Sequence, residues 1–162
     1  MIQRVQSLFL LIAAAIAIAV LFIPIGNIVN VYGETIYQYD AFSLKVVADH
    51  DVGSSVYHTT YIALLWIASA ILSIVTIFMY KNRYRQMRLN GVNMIVMLAA
   101  LVAMLYIYPS FIFENKQFVT NTSIIDYNTW ICISLVAAVA LYFANFFIKK
   151  DEQKVRSADR LR

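Results

Sequence analysis

Residues 62–79 read IALLWIASAILSIVTIFM, an apolar run without a single charged side chain. The run lies within a longer uncharged interval of 29 residues between Asp51 and Lys81. A helix needs about 20 predominantly apolar residues to cross the hydrocarbon core of a bilayer, at a rise of about 1.5 Å per residue. The run therefore predicts a transmembrane helix, which we place near residues 58–80.

Three further uncharged intervals repeat this pattern along the chain. They hold 29, 25 and 22 residues and lie between Arg4 and Glu34, between Arg88 and Glu114, and between Asp126 and Lys149. Each interval has room for one spanning helix and none has room for two. The sequence therefore predicts an all-α membrane protein in which a single domain, residues 1–162, forms a four-helix transmembrane bundle. The predicted helices lie near residues 5–25, 58–80, 90–112 and 128–148.

The composition of the whole chain agrees with an integral membrane protein. Hydrophobic residues make up 62% of the sequence and charged residues 14%, with a mean hydropathy of +0.70. Soluble domains are typically about 45–50% apolar and about 25% charged. The composition thus excludes a soluble domain, a disordered chain and a coiled coil. A lone cysteine, Cys132, excludes a disulfide scaffold and a zinc site built from cysteines.

The distribution of basic residues predicts the orientation of the bundle. With the N-terminus inside, 11 of the 13 lysines and arginines lie on the cytoplasmic side, and six of the nine acidic residues lie outside. Cytoplasmic segments of membrane proteins carry such an excess of Lys and Arg. We therefore predict a bacterial inner-membrane protein with both termini in the cytoplasm, a cytoplasmic loop at 81–89 and a cytoplasmic tail at 149–162. Because topology explains the basic residues, we expect the lipid bilayer as a partner and no nucleic acid.

The predicted outer loops, residues 27–57 and 113–127, contain segments typical of β-strands. Residues 28–32 and 35–39 flank a Gly-Glu turn and predict a β-hairpin, residues 42–47 predict a third strand, and residues 116–120 a fourth. We expect a small extracytoplasmic sheet that covers the outer end of the four helices. A similar combination occurs in claudin-like proteins, but likeness of topology carries no function.

Small and polar side chains indicate how the predicted helices pack. Each helix has a pair of small residues four positions apart, which allows two helices to approach closely in lipid. The pairs are Ala13 and Ala17, Ser69 and Ser73, Ala99 and Ala103, and Ala140 and Ala144. We also expect Asn93 and Asn145, each about one turn inside the cytoplasmic boundary, to form a hydrogen bond between helices.

Ionisable residues at membrane depth usually mark pumps and transporters, and the predicted membrane core has none. This argues against a proton-coupled transporter and an intramembrane protease. The sequence Asp49-His50-Asp51, followed by His58, could form an outer metal site or a haem contact, but the spacing does not match a usual metal motif. We therefore predict no enzymatic activity, no catalytic residues, no metal and no cofactor.

Three segments on the predicted cytoplasmic side resemble one known family. They are MIQRVQ at residues 1–6, KNRYRQMRL at residues 81–89, and KDEQKVRSADRLR at residues 150–162. Together they resemble a Bacteroidetes family of four-helix inner-membrane proteins that carry a domain of unknown function. The resemblance covers the whole chain and implies an inner-membrane location, but it supplies no activity.

These observations favour a non-enzymatic accessory or scaffold subunit of a larger inner-membrane assembly, one that serves protein export or envelope construction. We expect other inner-membrane proteins to bind through the cytoplasmic loop and tail, since the distinctive residues lie there. The predicted partner-binding residues are Arg83, Gln86, Arg88, Arg156, Asp159 and Arg160. The alternative is a carrier that binds a lipid or a quinone between its helices.

Overall fold

The computed structural model describes residues 3–30, 32–48, 51–80, 82–114 and 124–160. The chain is mostly helical and carries a small antiparallel sheet. In chain order, its elements are α1 (Gln3–Ala19), β1 (Gly26–Val29), β2 (Thr35–Tyr39), β3 (Ser43–Ala48), β4 (Asp51–His58), α2 (Thr60–Phe78), α3 (Arg83–Val102), a π-helical turn (Ala103–Ile107), α4 (Tyr108–Glu114), β5 (Ile124–Tyr127) and α5 (Ile131–Arg160).

Among the described residues, three helical segments are long and apolar enough to cross a membrane. They are Thr60–Phe78, Arg83–Ile112, which combines α3, the π-helical turn and most of α4, and Ile131–Lys154. The apolar part of α1, Val5–Ala19, is shorter. The predicted first helix extends to residue 25, but α1 ends at Ala19. The next residues form tight turns before Pro24, and a proline favours extended backbone at the residue that precedes it.

Two helices extend beyond the uncharged intervals, and for the last one the i, i+4 spacing of Glu152 and Arg156 predicts this continuation. Helix α3 begins at Arg83 rather than near residue 90, and the Asn82 side chain caps it by accepting a hydrogen bond from the Arg85 amide (3.3 Å). Most of the predicted loop at 81–89 is therefore helical. Helix α5 continues through the predicted tail to Arg160. Charged residues end a hydrophobic span but do not end a helix, because Lys, Arg, Glu and Gln are good helix formers.

The helices form a ring in which α1 and α3 each lie between α2 and α5. Three of the predicted small-residue pairs face this interior, since Ala13, Ala17, Ser69, Ser73, Ala140 and Ala144 are all buried. The third pair is wrong in part. Ala99 is exposed, and Ala100 and Ala103 are the buried small residues of that helix. We call the end of the bundle that carries the sheet the sheet end, and the opposite end, where α3 begins, the basic end.

The sheet has the strand order β4-β3-β2-β1-β5. The predicted hairpin is confirmed as β1 and β2, and Gly33 occupies its turn with a positive φ of 80°, a conformation that favours glycine. The predicted third strand corresponds to β3. The predicted strand at 116–120 lies outside the described residues, and the second predicted outer loop contributes β5, which pairs with β1. Strand β4 was not predicted, because Gly53, Ser54 and Ser55 are typical of turns.

The sheet and the bundle share one hydrophobic core. Ile28, Tyr39 and Leu44 from the strands are fully buried in the same cluster as Trp66 of α2 and Tyr108 of α4. The sheet is therefore packed directly onto the helices. Consequently, a change in the sheet also changes contacts with the bundle.

Candidate functional site

A cluster of buried polar side chains lies between α2 and α3. The Ser69 hydroxyl donates to the Asn93 Oδ1 atom (2.8 Å), and the Asn93 Nδ2 atom donates to the Ser73 hydroxyl (2.7 Å). All three residues are fully buried. Hydrogen bonds between neutral polar side chains of this kind join neighbouring helices in membrane proteins.

The cluster extends towards the basic end, where three amide side chains donate to backbone carbonyl oxygens. Asn90 Nδ2 donates to Leu141 of α5 (3.1 Å), Gln86 Nε2 to Thr76 of α2 (3.3 Å), and Gln6 Nε2 to Phe147 of α5 (3.1 Å). Each bond joins a different pair of helices. We call this set the polar cluster: Gln6, Ser69, Ser73, Thr76, Gln86, Asn90 and Asn93. Its chemistry is that of helix attachment, because its members are neutral amides and hydroxyls.

The predicted hydrogen bond between Asn93 and Asn145 is wrong. The Asn93 amide is bonded to Ser69 and Ser73. The buried Oδ1 atoms of Asn145 and Asn90 have no hydrogen-bond partner in the described part of the chain. Spacing from the predicted membrane boundary placed the two asparagines at the same depth. It could not reveal that the serine pair of α2 lies closer to Asn93.

At the sheet end, two tyrosines of the sheet bind the π-helical turn. The Tyr39 hydroxyl of β2 donates to the Met104 carbonyl (3.2 Å), and the Tyr127 hydroxyl of β5 donates to the Leu105 carbonyl (3.3 Å). A π-helical turn disrupts the regular hydrogen-bond ladder of an α-helix. The two hydroxyls therefore bind carbonyl groups where that ladder is irregular, and they attach the sheet to the helix.

Aromatic rings surround this attachment. The ring centroids of Tyr39 and Tyr108 are 4.4 Å apart, and those of Tyr57 and Phe111 are 5.0 Å apart. Burial raises the pKa of the Tyr39 phenol far above its usual value, and burial also raises the pKa of the Tyr127 phenol. Both phenols therefore stay protonated at physiological pH and remain hydrogen-bond donors.

The basic end combines an ion pair with two surface grooves. The guanidinium of Arg83, at the start of α3, contacts the carboxylate of Asp151 in α5 (3.1 Å). It also donates a hydrogen bond to the backbone carbonyl of Asp151 (3.1 Å). A groove of about 230 Å³ lies between α3 and α5 and is lined by Tyr84, Met87, Lys149, Glu152 and Gln153. A second groove, of about 350 Å³, is lined by Phe146, Lys149, Lys150 and Gln153. Lys149 and Gln153 are common to both grooves.

The predicted partner-binding residues have different surroundings. Arg83 forms the ion pair with Asp151, and Gln86 is buried in the polar cluster, so both make contacts within the chain. Arg88 is exposed, and its guanidinium carbon lies 4.3 Å from the centroid of the Tyr84 ring, a cation–π contact. Arg156, Asp159 and Arg160 belong to the last turns of α5, but their side chains lie outside the described part of the structure.

Four residues could form an outer metal site or haem contact by sequence, and two of them, Asp49 and His50, lie outside the described residues. Asp51 begins β4, and His58 ends it with an exposed side chain. Within the described ranges, no group of three or more His, Cys, Asp or Glu residues could hold a metal ion. An apolar crevice between the end of α1 and the start of α5 has a volume of about 20 Å³, and Pro24, Met104 and Trp130 are among the residues that line it.

Sequence comparison places the chain in a family. Residues 2–161 match the family described as a domain of unknown function, DUF4293, and the chain belongs to that family. No curated protein matches the sequence. The family match covers nearly the whole chain, as the resemblance implied, and it assigns no activity.

Proposed function

We propose that this chain is a non-enzymatic accessory or scaffold subunit of a larger assembly in the bacterial inner membrane, one that serves protein export or envelope construction. In this proposal α1, α2, the helical segment Arg83–Ile112 and α5 all cross the membrane, and both termini lie in the cytoplasm. The closing sequence at residues 150–162 supports a Bacteroidetes origin. The partners are other inner-membrane proteins.

The observation that carries this proposal is the length of α5. The helix runs without interruption from Ile131 to Arg160, and Ile148 is the last buried apolar residue among the α5 side chains that the structure describes, which end at Lys154. Twelve residues therefore follow Ile148 in the same helix, and at 1.5 Å per residue they extend about 18 Å beyond it. An isolated helix of this length would be marginal in water, but this segment continues a packed helix of 30 residues. We therefore take the extension as the surface that docks against another protein.

The contact between Arg83 and Asp151 supports the proposal by fixing the base of this extension. Because the guanidinium contacts both the carboxylate and the backbone carbonyl of Asp151, it limits the directions in which the following turns of α5 can lean. We infer that Arg83 positions the docking helix. Arg156 and Arg160, one turn apart on the extension, are the residues that we expect to touch the partner.

A bundle that includes α1 is supported by the packing of that helix. Ala13 and Ala17 of α1 are fully buried, and α1 packs against both α2 and α5. The 17 residues of α1 extend about 25 Å, close to the thickness of the hydrocarbon core of about 30 Å. Val20, Leu21 and Phe22 follow as further apolar residues. A slightly short span is accommodated by local thinning of the bilayer at modest cost.

The test is co-purification from native membranes in a mild detergent. We expect truncation after Lys150 to reduce the yield of partner proteins at least tenfold, and Arg156→Lys combined with Arg160→Lys to reduce it severalfold. Lysine keeps the charge but cannot reproduce the two-pronged contact of a guanidinium with a carboxylate. Arg85→Lys, on an exposed residue of α3, is the matched control and should retain the full yield.

Equal partner yields from the truncated and the full chain would contradict the proposal. The alternative of a lipid or quinone carrier requires a cavity between the helices. The crevice near Pro24 and Trp130, at about 20 Å³, has room for roughly one water molecule. We therefore do not adopt the carrier hypothesis for that crevice.

A further inference from the structure

We propose that the exposed face of α5 at the basic end binds an anionic glycerophospholipid, with the phosphate of the head group held by Lys149, Lys150 and Gln153. This site lies at the base of the α5 extension, before the last turns with Arg156 and Arg160 that we propose for protein docking. It uses residues at the membrane boundary rather than the last turns of the helix. The inference does not depend on the identity of any protein partner.

The residues of this face form one continuous stripe along α5. Leu135, Val139, Tyr142 and Phe146 are each about half exposed, and Lys149, Lys150 and Gln153 continue the same line as exposed residues. At 100° per residue these seven positions fall within an arc of roughly 100°. The fully buried Ala137, Leu141 and Ala144 lie on the opposite side of the helix. The stripe therefore faces away from the bundle.

The chemistry of the stripe changes once, between Phe146 and Lys149. Before this point it offers aliphatic and aromatic side chains, and after it two ammonium groups and an amide. A phospholipid has the same order of groups, acyl chains followed by a phosphate. The apolar part from Leu135 to Phe146 is about 17 Å long, close to half the thickness of the hydrocarbon core. We call this stripe, Leu135 to Gln153, the lipid stripe.

The two grooves differ in charge, which decides where the phosphate lies. The groove between α3 and α5 contains the carboxylate of Glu152 as well as Lys149. The larger groove is lined by Lys149, Lys150, Gln153 and Phe146 of α5, with no acidic residue among the side chains that the structure describes. An anion is therefore better accommodated in the larger groove, beside Lys150. Basic sites at this level of transmembrane helices are characteristic binding sites for anionic head groups.

Native mass spectrometry of the detergent-solubilised chain tests the proposal. The chain would be titrated with phosphatidylglycerol or phosphatidylcholine that carry identical acyl chains. We expect at least fivefold tighter binding of phosphatidylglycerol. Lys150→Gln should weaken this binding about fivefold, the contribution expected of one basic residue near an anionic surface. Lys149→Gln combined with Lys150→Gln should abolish the preference.

Arg85→Gln is the matched control, because it removes one exposed positive charge at the same end of the bundle from a residue that lines neither groove. It should leave the affinity unchanged. Phe146→Ala should weaken the binding of both lipids by the same factor, since it removes only apolar contact. All three lysine and arginine positions are exposed, so melting temperatures should stay constant and exclude a folding defect.

Four results would overturn the proposal. One is equal affinity of the unaltered chain for the two lipids. Another is equal weakening of phosphatidylglycerol binding by Arg85→Gln and Lys150→Gln, which would show that general surface charge and not this site attracts the lipid. The third is displacement of phosphatidylglycerol by inorganic phosphate at comparable concentration, which would indicate a site for the free anion. Occupation of the stripe by a copurified transmembrane protein in place of lipid would also contradict it.

Discussion

Asn93 and Asn145 are the same residue type at similar depth, yet only Asn93 is bonded. Asn93 joins Ser69 and Ser73 through two short hydrogen bonds, whereas the buried Oδ1 atom of Asn145 has no partner among the residues that the structure describes. Hydrogen bonds between transmembrane helices contribute about 0.6 kcal/mol on average and up to about 1.7 kcal/mol. We predict that Asn93→Leu lowers the free energy of unfolding by about 1–3 kcal/mol, as measured by denaturation in mixed micelles.

Asn145→Leu is the control for this prediction. Replacing a buried acceptor that has no partner by an apolar group of similar size removes a desolvation penalty without removing a bond. The variant should be neutral or more stable than the original chain. If Asn145→Leu destabilises the protein as much as Asn93→Leu, the polar cluster does not hold the helices in the way that its hydrogen bonds indicate.

Tyr39 provides a second test at the level of one residue, because its buried phenol should make stability depend on alkaline pH. Its folded-state pKa is raised above the ordinary value of 10.0 by burial, so the unfolded chain releases this proton first as pH rises. The contribution of the phenol is therefore fully present below about pH 10 and is lost above it. Tyr39→Phe should cost about 1 kcal/mol at pH 8, through the lost bond to Met104.

The difference in melting temperature between the original chain and Tyr39→Phe should shrink or reverse between pH 8 and pH 11. Tyr32→Phe is the control, because the Tyr32 side chain is 86% exposed. It should change neither the melting temperature at pH 8 nor the shape of the profile. Parallel profiles for Tyr39→Phe and the original chain would show that the phenol does not couple the sheet to the π-helical turn.

Between elements, β1 and β5 approach closely at Gly26, which pairs with Tyr127. A Cβ atom added at Gly26 would lie 2.9 Å from the Asp126 carbonyl oxygen and 3.4 Å from the Tyr127 Cα atom, so the two strands would have to separate. We predict that Gly26→Ala costs about 1–3 kcal/mol of stability. It should also increase amide hydrogen exchange in Ile124–Tyr127.

Gly91→Ala is the matched control for Gly26→Ala. Gly91 lies inside α3. Apart from its chain neighbours and the nearby backbone of its own helix, no described atom lies within 4 Å of a Cβ atom added there. Alanine in a helix interior is favoured over glycine by about 0.5–1 kcal/mol. The control should therefore raise stability and leave exchange in β5 unchanged. Unchanged exchange in Gly26→Ala would mean that β5 does not depend on this close approach.

The elements that depend on local pattern were predictable from the sequence, and those that depend on distant contacts were not. Uncharged intervals located the helices, and the sequence around Gly33 located the hairpin of β1 and β2. The π-helical turn has no signature of its own, since Ala103–Ile107 continues an apolar helix. Strand β5 forms because β1 is available as its partner, almost 100 residues earlier in the chain.

The candidate sites show the same division. Charge counting placed Lys149 and Lys150 at the predicted membrane boundary, and the i, i+4 spacing located the buried pair Ser69 and Ser73. Sequence could not reveal the contacts of Arg83 with Asp151 and of Gln86 with Thr76, because these two residues lie in other helices. That Arg83 and Gln86 also bind a partner protein stays a prediction.

At the scale of the whole molecule, the proposed topology is the claim on which the docking proposal depends. With Cys132 replaced by serine, single cysteines can be introduced at Tyr32 in the hairpin and at Arg85 or Gln153 at the basic end, all exposed positions. We predict that Tyr32→Cys reacts with a membrane-impermeant maleimide in intact spheroplasts. Arg85→Cys and Gln153→Cys should react only after lysis, since the basic residues of α3 and α5 favour the cytoplasmic side.

The pattern of the three cysteines distinguishes the possible failures of this topology. Reaction of Arg85→Cys and Gln153→Cys, but not Tyr32→Cys, in intact spheroplasts would invert the bundle and place the α5 extension outside the cytoplasm. If Gln153→Cys reacts in intact spheroplasts and Arg85→Cys does not, α3 and α5 do not meet on one side of the membrane. That result would contradict the contact between Arg83 and Asp151, because an ion pair of 3.1 Å requires both residues at the same face of the bilayer.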